Sequence, residues 1–346
     1  MVQKISISEW ISAYAHLPIL DVRSPGEFNH AHIPNANNLA LFTDEERKIV
    51  GTAYKQQSRQ MAIKLGLDFF GVKMRKLVEE VEGLNLFKQD ESSPKKILIH
   101  CWRGGMRSAA VAWLFDLYGY KVYTLAGGYK AYRSWVLEQF TKTFPFKIIG
   151  GYTGSGKTNL LKALQQNGET IIDLEALANH KGSAFGNIGM PAQPSQEMFE
   201  NLLATALKAS AEATHIWIEN ESQRIGNVNI PSILSKQLQN KEVIFLDIPF
   251  EERLKLILFE YGDANKAQLL NAIMRIKKRL GGLETKNAVQ FLQEDNIAAC
   301  FDILLKYYDK WYNKCAAEKP ATLIKPIKAE TTRAESNLSL LLSLPV

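Results

Sequence analysis

Phe146-Lys147-Ile148-Ile149-Gly150-Gly151-Tyr152-Thr153-Gly154-Ser155-Gly156-Lys157-Thr158-Asn159-Leu160-Leu161 decides the fold of the larger part of this chain. An apolar run at 146–149 reads as a buried strand, a glycine-rich loop follows at once, and 159–165 is compatible with a helix. From Gly151 to Thr158 the match to G-x-x-x-x-G-K-[ST] is complete, in the strand-and-helix context that this phosphate loop requires. Loop amides in such a turn cradle a di- or triphosphate; Lys157 reaches its terminal oxygens, and the Thr158 hydroxyl can hold a magnesium ion. Gly151, Thr153, Gly154, Ser155, Gly156, Lys157 and Thr158 are therefore the candidate diphosphate-binding residues.

Working outward, short apolar runs at 170–172, 216–218 and 243–246 alternate with helical spacing, an α/β pattern with a mostly parallel sheet. Each run ends on a carboxylate: Asp173, Glu219 and Asp247. Only one of them is expected beside the glycine-loop strand as a magnesium partner or acid/base group. Glu219, with Glu221 near it, is favoured, because Asp247-Ile248-Pro249 also reads as a helix cap with proline in the first turn. Further on, Arg253 and the run Arg275-Ile276-Lys277-Lys278-Arg279 resemble the arginine-bearing helix and lid of small-molecule kinases, and are candidate phosphate or RNA contacts.

Upstream, 141–145 reads as a linker ending in Pro145, which disfavours helix before it. Residues 1–140 hold a second α/β pattern, with strands at 19–22, 97–100 and 122–125 and helices at 73–81 and 107–118. The expected layout is a parallel-sheet domain at 1–140, a doubly wound phosphate-loop domain at 146–318, and a tail at 319–346 whose fold the sequence leaves open. Of 346 residues, 46% are apolar and 23% charged, which excludes disorder as the main state. No run approaches a membrane span, and residues 1–16 lack the apolar block of a signal peptide, so a cytoplasmic protein is expected. The net charge of +6 permits a polyanionic partner such as RNA. Three cysteines, Cys101, Cys300 and Cys315, make no disulfide framework; the latter two sit in apolar helical sequence and read as structural.

Cys101 differs. His100-Cys101-Trp102-Arg103-Gly104-Gly105-Met106-Arg107-Ser108 joins a buried strand to a helix, so loop amides and the helix N-terminus converge on one spot that attracts anions. A thiol placed there, with Arg103 and Arg107 nearby, has its ionised form stabilised and becomes a nucleophile near neutral pH. Gly104 and Gly105 let consecutive amides turn inward without Cβ obstruction.

Leu20-Asp21-Val22-Arg23-Ser24-Pro25-Gly26-Glu27-Phe28, followed by His32-Ile33-Pro34-Asn35-Ala36, resembles the rhodanese signature, in which the catalytic cysteine carries sulfur or selenium. The usual rhodanese loop has arginine five residues after the cysteine. Here Met106 holds that place and Arg107 comes one later, a wider loop that suits a tetrahedral anion such as phosphate or selenophosphate. His-Cys-x5-Arg-Ser also resembles the cysteine phosphatases built on the rhodanese fold, which leaves open a phosphatase fused to an ATP-dependent small-molecule kinase.

A rhodanese-like domain followed by a phosphate-loop domain resembles the tRNA 2-selenouridine synthase family. The likeness is carried by Asp44-Glu45-Glu46-Arg47, Val50 to Gln57, the Cys101 loop, the Gly151 loop, and Asp173-Leu174-Glu175 with Ala178-Asn179-His180-Lys181-Gly182-Ser183-Ala184-Phe185-Gly186. Lys181 stands where the family has arginine, replacing a planar fork with a point charge. The resemblance implies exchange of sulfur for selenium at the wobble 2-thiouridine of tRNA, with selenophosphate as donor. It also implies an S-geranyl-2-thiouridine intermediate made from geranyl diphosphate, with no need for ATP. Cys101 would be catalytic, with Arg103, Gly104, Gly105, Arg107 and Ser108 as its anion loop; His180 and Lys181 join the candidate phosphate or tRNA contacts.

Overall fold

The structure, a computed structural model, describes residues 1–84, 86, 95–316 and 320–343, without the side chains of residues 315, 316 and 321. The chain divides into two units, Met1–Gln139 and Phe140–Val346, each built on its own five-stranded sheet.

In the first unit β1 (Gln3–Ile5), β2 (Ile19–Asp21), β3 (Asn37–Asn38), β4 (Lys96–His100) and β5 (Lys121–Leu125) run parallel in the order β1-β5-β4-β2-β3. Ile97, Leu98 and Ile99 are wholly buried, as expected for a central strand covered on both faces. The edge strands β1 and β3 escape a sequence reading because they are two or three residues long and largely polar. Asp21 is in register with His100, and the Val22 amide donates to the His100 carbonyl at 3.0 Å, so the segments after β2 and β4 leave the sheet side by side. The loop after β4 leads into the helix Met106–Leu117 and is closed by the start of the helix Gly128–Gln139, whose Tyr129 and Lys130 amides donate to the Cys101 and Trp102 carbonyls, each at 2.9 Å. The approach is so close that a Cβ on Gly128 (φ +56°) would lie 2.3 Å from the Cys101 carbonyl oxygen, and one on Gly104 (φ +62°) 2.4 Å from that of Leu125. Glycine is required at both.

In the second unit β6 (Phe146–Gly151), β7 (Ile171–Ile172), β8 (Ile216–Glu219), a separate hairpin β9 (Arg224–Ile225) and β10 (Val228–Asn229), β11 (Val243–Asp247) and β12 (Ile324–Lys328) follow in sequence. The parallel sheet has the order β12-β11-β6-β8-β7, with the glycine-loop strand at its centre. Four helices, Phe250–Tyr261, Lys266–Leu280, Gly282–Gln293 and Ile297–Ala316, build a second core around Ile257, Tyr261, Ile273, Phe301 and Leu304. Cys300 is buried in it, its thiol pushed up to about 11 by burial, as a structural cysteine should be; the side chain of Cys315 lies outside the described residues.

The sequence reading ends the second domain at 318, but the sheet does not end there. β12 pairs with β11 along its whole length, and Leu341 of the helix Ala334–Leu342 packs with Leu160, Leu161 and Leu164 beside the glycine loop. Pro326 obscured this strand; a proline is tolerated there because β12 is an edge. Among the described residues no helix is long and apolar enough to cross a membrane.

Deleting residues 320–346 should therefore uncover the β11 edge and the leucines of the helix Lys157–Gln166. Scanning calorimetry of the truncated chain is expected to show the second unit's transition lost, or lowered by about 10 °C or more, with loss of soluble yield; an unchanged transition would refute the structural role of the tail.

Candidate functional site

The first unit holds a cysteine loop supported from beneath by buried charge. Arg23 and Asp21 are both essentially inaccessible; their guanidinium and carboxylate meet at 2.6 Å, Arg23 also donates to the Ala31 carbonyl at 2.7 Å, and its plane lies 3.8 Å from the Tyr129 ring centroid. Such a pair persists only because its hydrogen bonds are complete. Burial pushes His100, the last residue of β4, down despite the nearby Asp21 carboxylate, leaving its ring neutral.

Above this layer the Cys101 Sγ accepts from the Gly105 amide at 3.4 Å and lies 3.3 Å from the Ser108 hydroxyl. Burial opposes ionisation, but the Ser108 hydroxyl and amide, the Gly105 amide and the charge of Arg107 outweigh it and hold the thiol below its ordinary value. Arg107 is itself positioned by Glu27, 2.7 Å away. Burial would raise that carboxyl; Arg107, Arg47 and the Ser24 amide bring it down to about 2. Arg103, which the sequence placed beside the thiol with Arg107, is instead exposed to solvent, and the groups that lower the thiol are Ser108, Gly105 and Arg107. The loop turns its amides, not both arginines, toward the sulfur.

In the second unit a cavity of about 1330 Å³ is lined by Gly151, Thr153, Gly154, Ser155, Gly156, Lys157 and Thr158, the residues of the phosphate motif. The Lys157 ammonium rests on the Gly151 carbonyl at 3.1 Å, a contact it can exchange for a phosphate oxygen. The Thr158 hydroxyl donates to Glu175 at 3.0 Å, and Glu219 accepts from the Glu175 amide at 2.9 Å, its other oxygen buried without a partner. Glu175, not the favoured Glu219, is thus the carboxylate that meets Thr158. Sequence reasoning chose the strand end and overlooked the first turn of the short helix Leu174–Ala178, although Glu175 lies in it two residues after Asp173. Asp173 caps that helix, accepting from the Ala176 amide at 2.7 Å. The expectation that one of the strand-end carboxylates alone borders β6 also fails: β8 and β11 both flank it, Asp247 is exposed, and Pro249 rather than Asp247 occupies the cap.

Burial and the charge of Glu221 push the Glu175 carboxyl up to about 8; burial and the charge of Asp173 raise Glu219 well above the usual carboxylate range, and burial raises Glu221. Among the described residues no three His, Cys, Asp or Glu side chains converge as a metal cage. A hydroxyl and one carboxylate 3.0 Å apart beside a phosphate loop do fit magnesium, which takes few protein ligands and fills its shell with phosphate oxygens and water.

The other candidates separate into two groups. His180, Lys181, Arg275 and Arg279 line the cavity. His180 is buried and held neutral by burial and by the charge of Arg275, so it offers a ring nitrogen rather than a cation; Lys181 lies 5.1 Å from the Tyr261 ring centroid. Lys277 and Lys278 are exposed and do not line the cavity. Arg253 is not free for a substrate phosphate: buried, it makes a forked bond to Asp309 and donates to the carbonyls of Ile248 and Thr153, so it braces the glycine loop.

Fold and loops together define a rhodanese-like domain joined to a phosphate-loop AAA-type domain, and comparison with known families agrees: the rhodanese-like domain family matches residues 6–134, and the tRNA 2-selenouridine synthase AAA domain matches residues 144–334. Relatives named tRNA 2-selenouridine synthase include one from Hydrogenovibrio crunogenus, 35% identical over 86% of this chain and 89% of its own length, and one from Shewanella denitrificans, 34% identical over 92% and 93%. Another, from Sulfurovum sp., is 36% identical over 80% of this chain and 79% of its own. The chain belongs to the tRNA 2-selenouridine synthase family.

Two measurements test the electrostatics. In alkylation-rate titrations Arg107→Ala should raise the Cys101 thiol pKa by roughly half a unit to one unit, while Arg103→Ala leaves it unmoved; equal effects would return Arg103 to the thiol. Glu175 is protonated more readily in the folded than in the unfolded chain, so unfolding releases a proton and its contribution to stability falls as pH rises from the unfolded value of 4.5 to about 8. Glu175→Gln should flatten the decline in thermal midpoint between pH 5 and pH 8; a decline as steep as in the wild type would refute the assignment.

Proposed function

We propose that this protein replaces sulfur by selenium at the wobble 2-thiouridine of tRNA in two steps, one on each anion loop, and that it does so in the cytoplasm. In the first step the thiocarbonyl sulfur bonds C1 of geranyl diphosphate as the C1–O bond breaks and the uridine N3 proton passes to solvent, giving S-geranyl-2-thiouridine and diphosphate. The amides of residues 151–156, Lys157 and Thr158 stabilise the charge that develops on the departing diphosphate. Thr158 and Glu175 would hold a magnesium ion, which would supply Lewis acidity to the diphosphate. Alkylation converts a poor leaving group into a thiol-level one, so no ATP is consumed.

In the second step the selenium of selenophosphate bonds C2 as the C2–S bond breaks and geranylthiol leaves with a proton, and water then cleaves the Se–P bond, releasing phosphate and leaving 2-selenouridine. The Gly105 amide, Ser108 and Arg107 offer an anion its hydrogen bonds and charge, and Cys101 supplies a soft nucleophile whose ionised form those same groups favour.

The observation that carries this reading is the lining of the cavity of the second unit. Beyond the phosphate loop it is walled by Leu256, Ile257, Phe301, Leu304 and Leu305, a surface suited to a hydrocarbon tail behind a diphosphate.

Purified variants separate the steps. Lys157→Ala is expected to abolish geranylation of 2-thiouridine tRNA, by at least about a hundredfold, yet still selenate tRNA supplied already S-geranylated. Cys101→Ser should do the reverse. Nucleoside mass spectrometry reads both, and geranyl transfer that requires ATP hydrolysis, or that proceeds normally in the Lys157 variant, would overturn the proposal.

A further inference from the structure

Six tryptophans are distributed unevenly between core and surface. Trp10 and Trp217 are buried, whereas Trp311 is 41% exposed on the wall of the glycine-loop cavity. It lies on the helix Ile297–Ala316, one turn beyond Tyr307 and Tyr308, which also line the cavity and whose rings meet at 5.1 Å. Facing this aromatic row, the helix Lys266–Leu280 presents Arg275 and Arg279, likewise one turn apart and likewise on the cavity wall. The Arg279 guanidinium lies 5.1 Å from the Trp311 ring centroid, and the Lys314 ammonium lies 5.5 Å from the same ring. Arg275 donates to Asn187 at 3.1 Å. Among the described residues neither arginine forms a salt bridge with a carboxylate, so both keep their charge for another partner.

We propose that Trp311 is a stacking platform for an unpaired base of the tRNA anticodon loop, with Arg275 and Arg279 taking the adjacent phosphates. The proposal rests on the tRNA reading above and adds to it the residues that engage the RNA. Single-stranded RNA is recognised by stacking on aromatic rings and guanidinium planes next to phosphate-binding cations, and exposed tryptophan between flexible cations supplies both. The cations now lying over the ring are long side chains that can exchange its π-face for a phosphate, leaving the ring to the base. A base placed there lies on the wall of the chamber that holds Lys157 and Thr158, where the thiocarbonyl must meet the allylic carbon. A hydrocarbon tail would instead favour the buried Phe301, Leu304 and Leu305.

The full-length protein, Trp311→Ala, Trp311→Phe and the double variant Arg275→Gln with Arg279→Gln are titrated into a labelled anticodon stem-loop with 2-thiouridine at the wobble position, over a range of salt. Stacking predicts that Trp311→Ala weakens binding roughly tenfold or more with an unchanged salt slope, and that Trp311→Phe retains most of the affinity. The double arginine variant should lower the slope of log affinity against log salt by about one to two. Geranyl diphosphate binding should be unchanged in Trp311→Ala. Wild-type affinity in Trp311→Ala, or an equal loss toward a fully duplexed RNA, overturns the platform alone, as does weakened geranyl diphosphate binding, which would assign the ring to the tail. A wild-type protein that does not bind the stem-loop overturns the tRNA reading and the platform with it.

Discussion

Peptide amides left without strand partners at the carboxyl ends of two central parallel strands are the constraint on which the chemistry of this chain depends. β4 and β6 are each buried on both faces, and each runs into a tight loop and then a helix, so the loop must turn its donors inward or bury them unsatisfied. In the first unit those donors meet the Cys101 sulfur; in the second the glycine-loop residues line one side of a large cavity. Both loops are kept narrow by backbone that approaches too closely for a side chain, as Gly128 against the Cys101 carbonyl illustrates.

What surrounds each loop is also similar in logic. Beneath the cysteine, the Asp21–Arg23 pair and the stacked Tyr129 fill the space with satisfied charge, while Glu27 aims Arg107 at the loop. Beside the glycine loop, Arg253 ties the Thr153 carbonyl to Asp309, and Glu219 holds the amide of Glu175, which in turn meets Thr158. In both units a charged residue serves as a strut, Glu27 holding Arg107 in the first and Arg253 holding the Thr153 carbonyl in the second. This explains why electrostatic preorganisation is present before any ligand binds: the positioning interactions are internal to the protein and cost no reorganisation at the moment of reaction.

The glycine and cysteine loops, the central strands β2, β4, β5, β6, β8 and β11, and the structural character of Cys300 were legible in the sequence because each is a local signal: an apolar run, a fixed glycine spacing, a cysteine in apolar helix. The short polar edges β1 and β3 and the proline-bearing β12 were not, because edge strands need only one hydrogen-bonded neighbour and little apolar content.

By itself the sequence determined two α/β units, a phosphate-loop motif ending in Lys157-Thr158 and a cysteine, Cys101, at a strand-to-helix turn, since backbone geometry at such a turn depends on residues adjacent in the chain. Only the tertiary structure decided which charges reach those loops. Arg103 and Arg107 are four residues apart, yet Glu27, brought from far away in the chain, positions one while the other faces solvent; Asp173 and Glu175 are two apart, yet the turn of a short helix makes the first a cap and gives the second to Thr158. Long side chains acquire their roles from partners distant in sequence, and no spacing rule along the chain encodes where those partners lie.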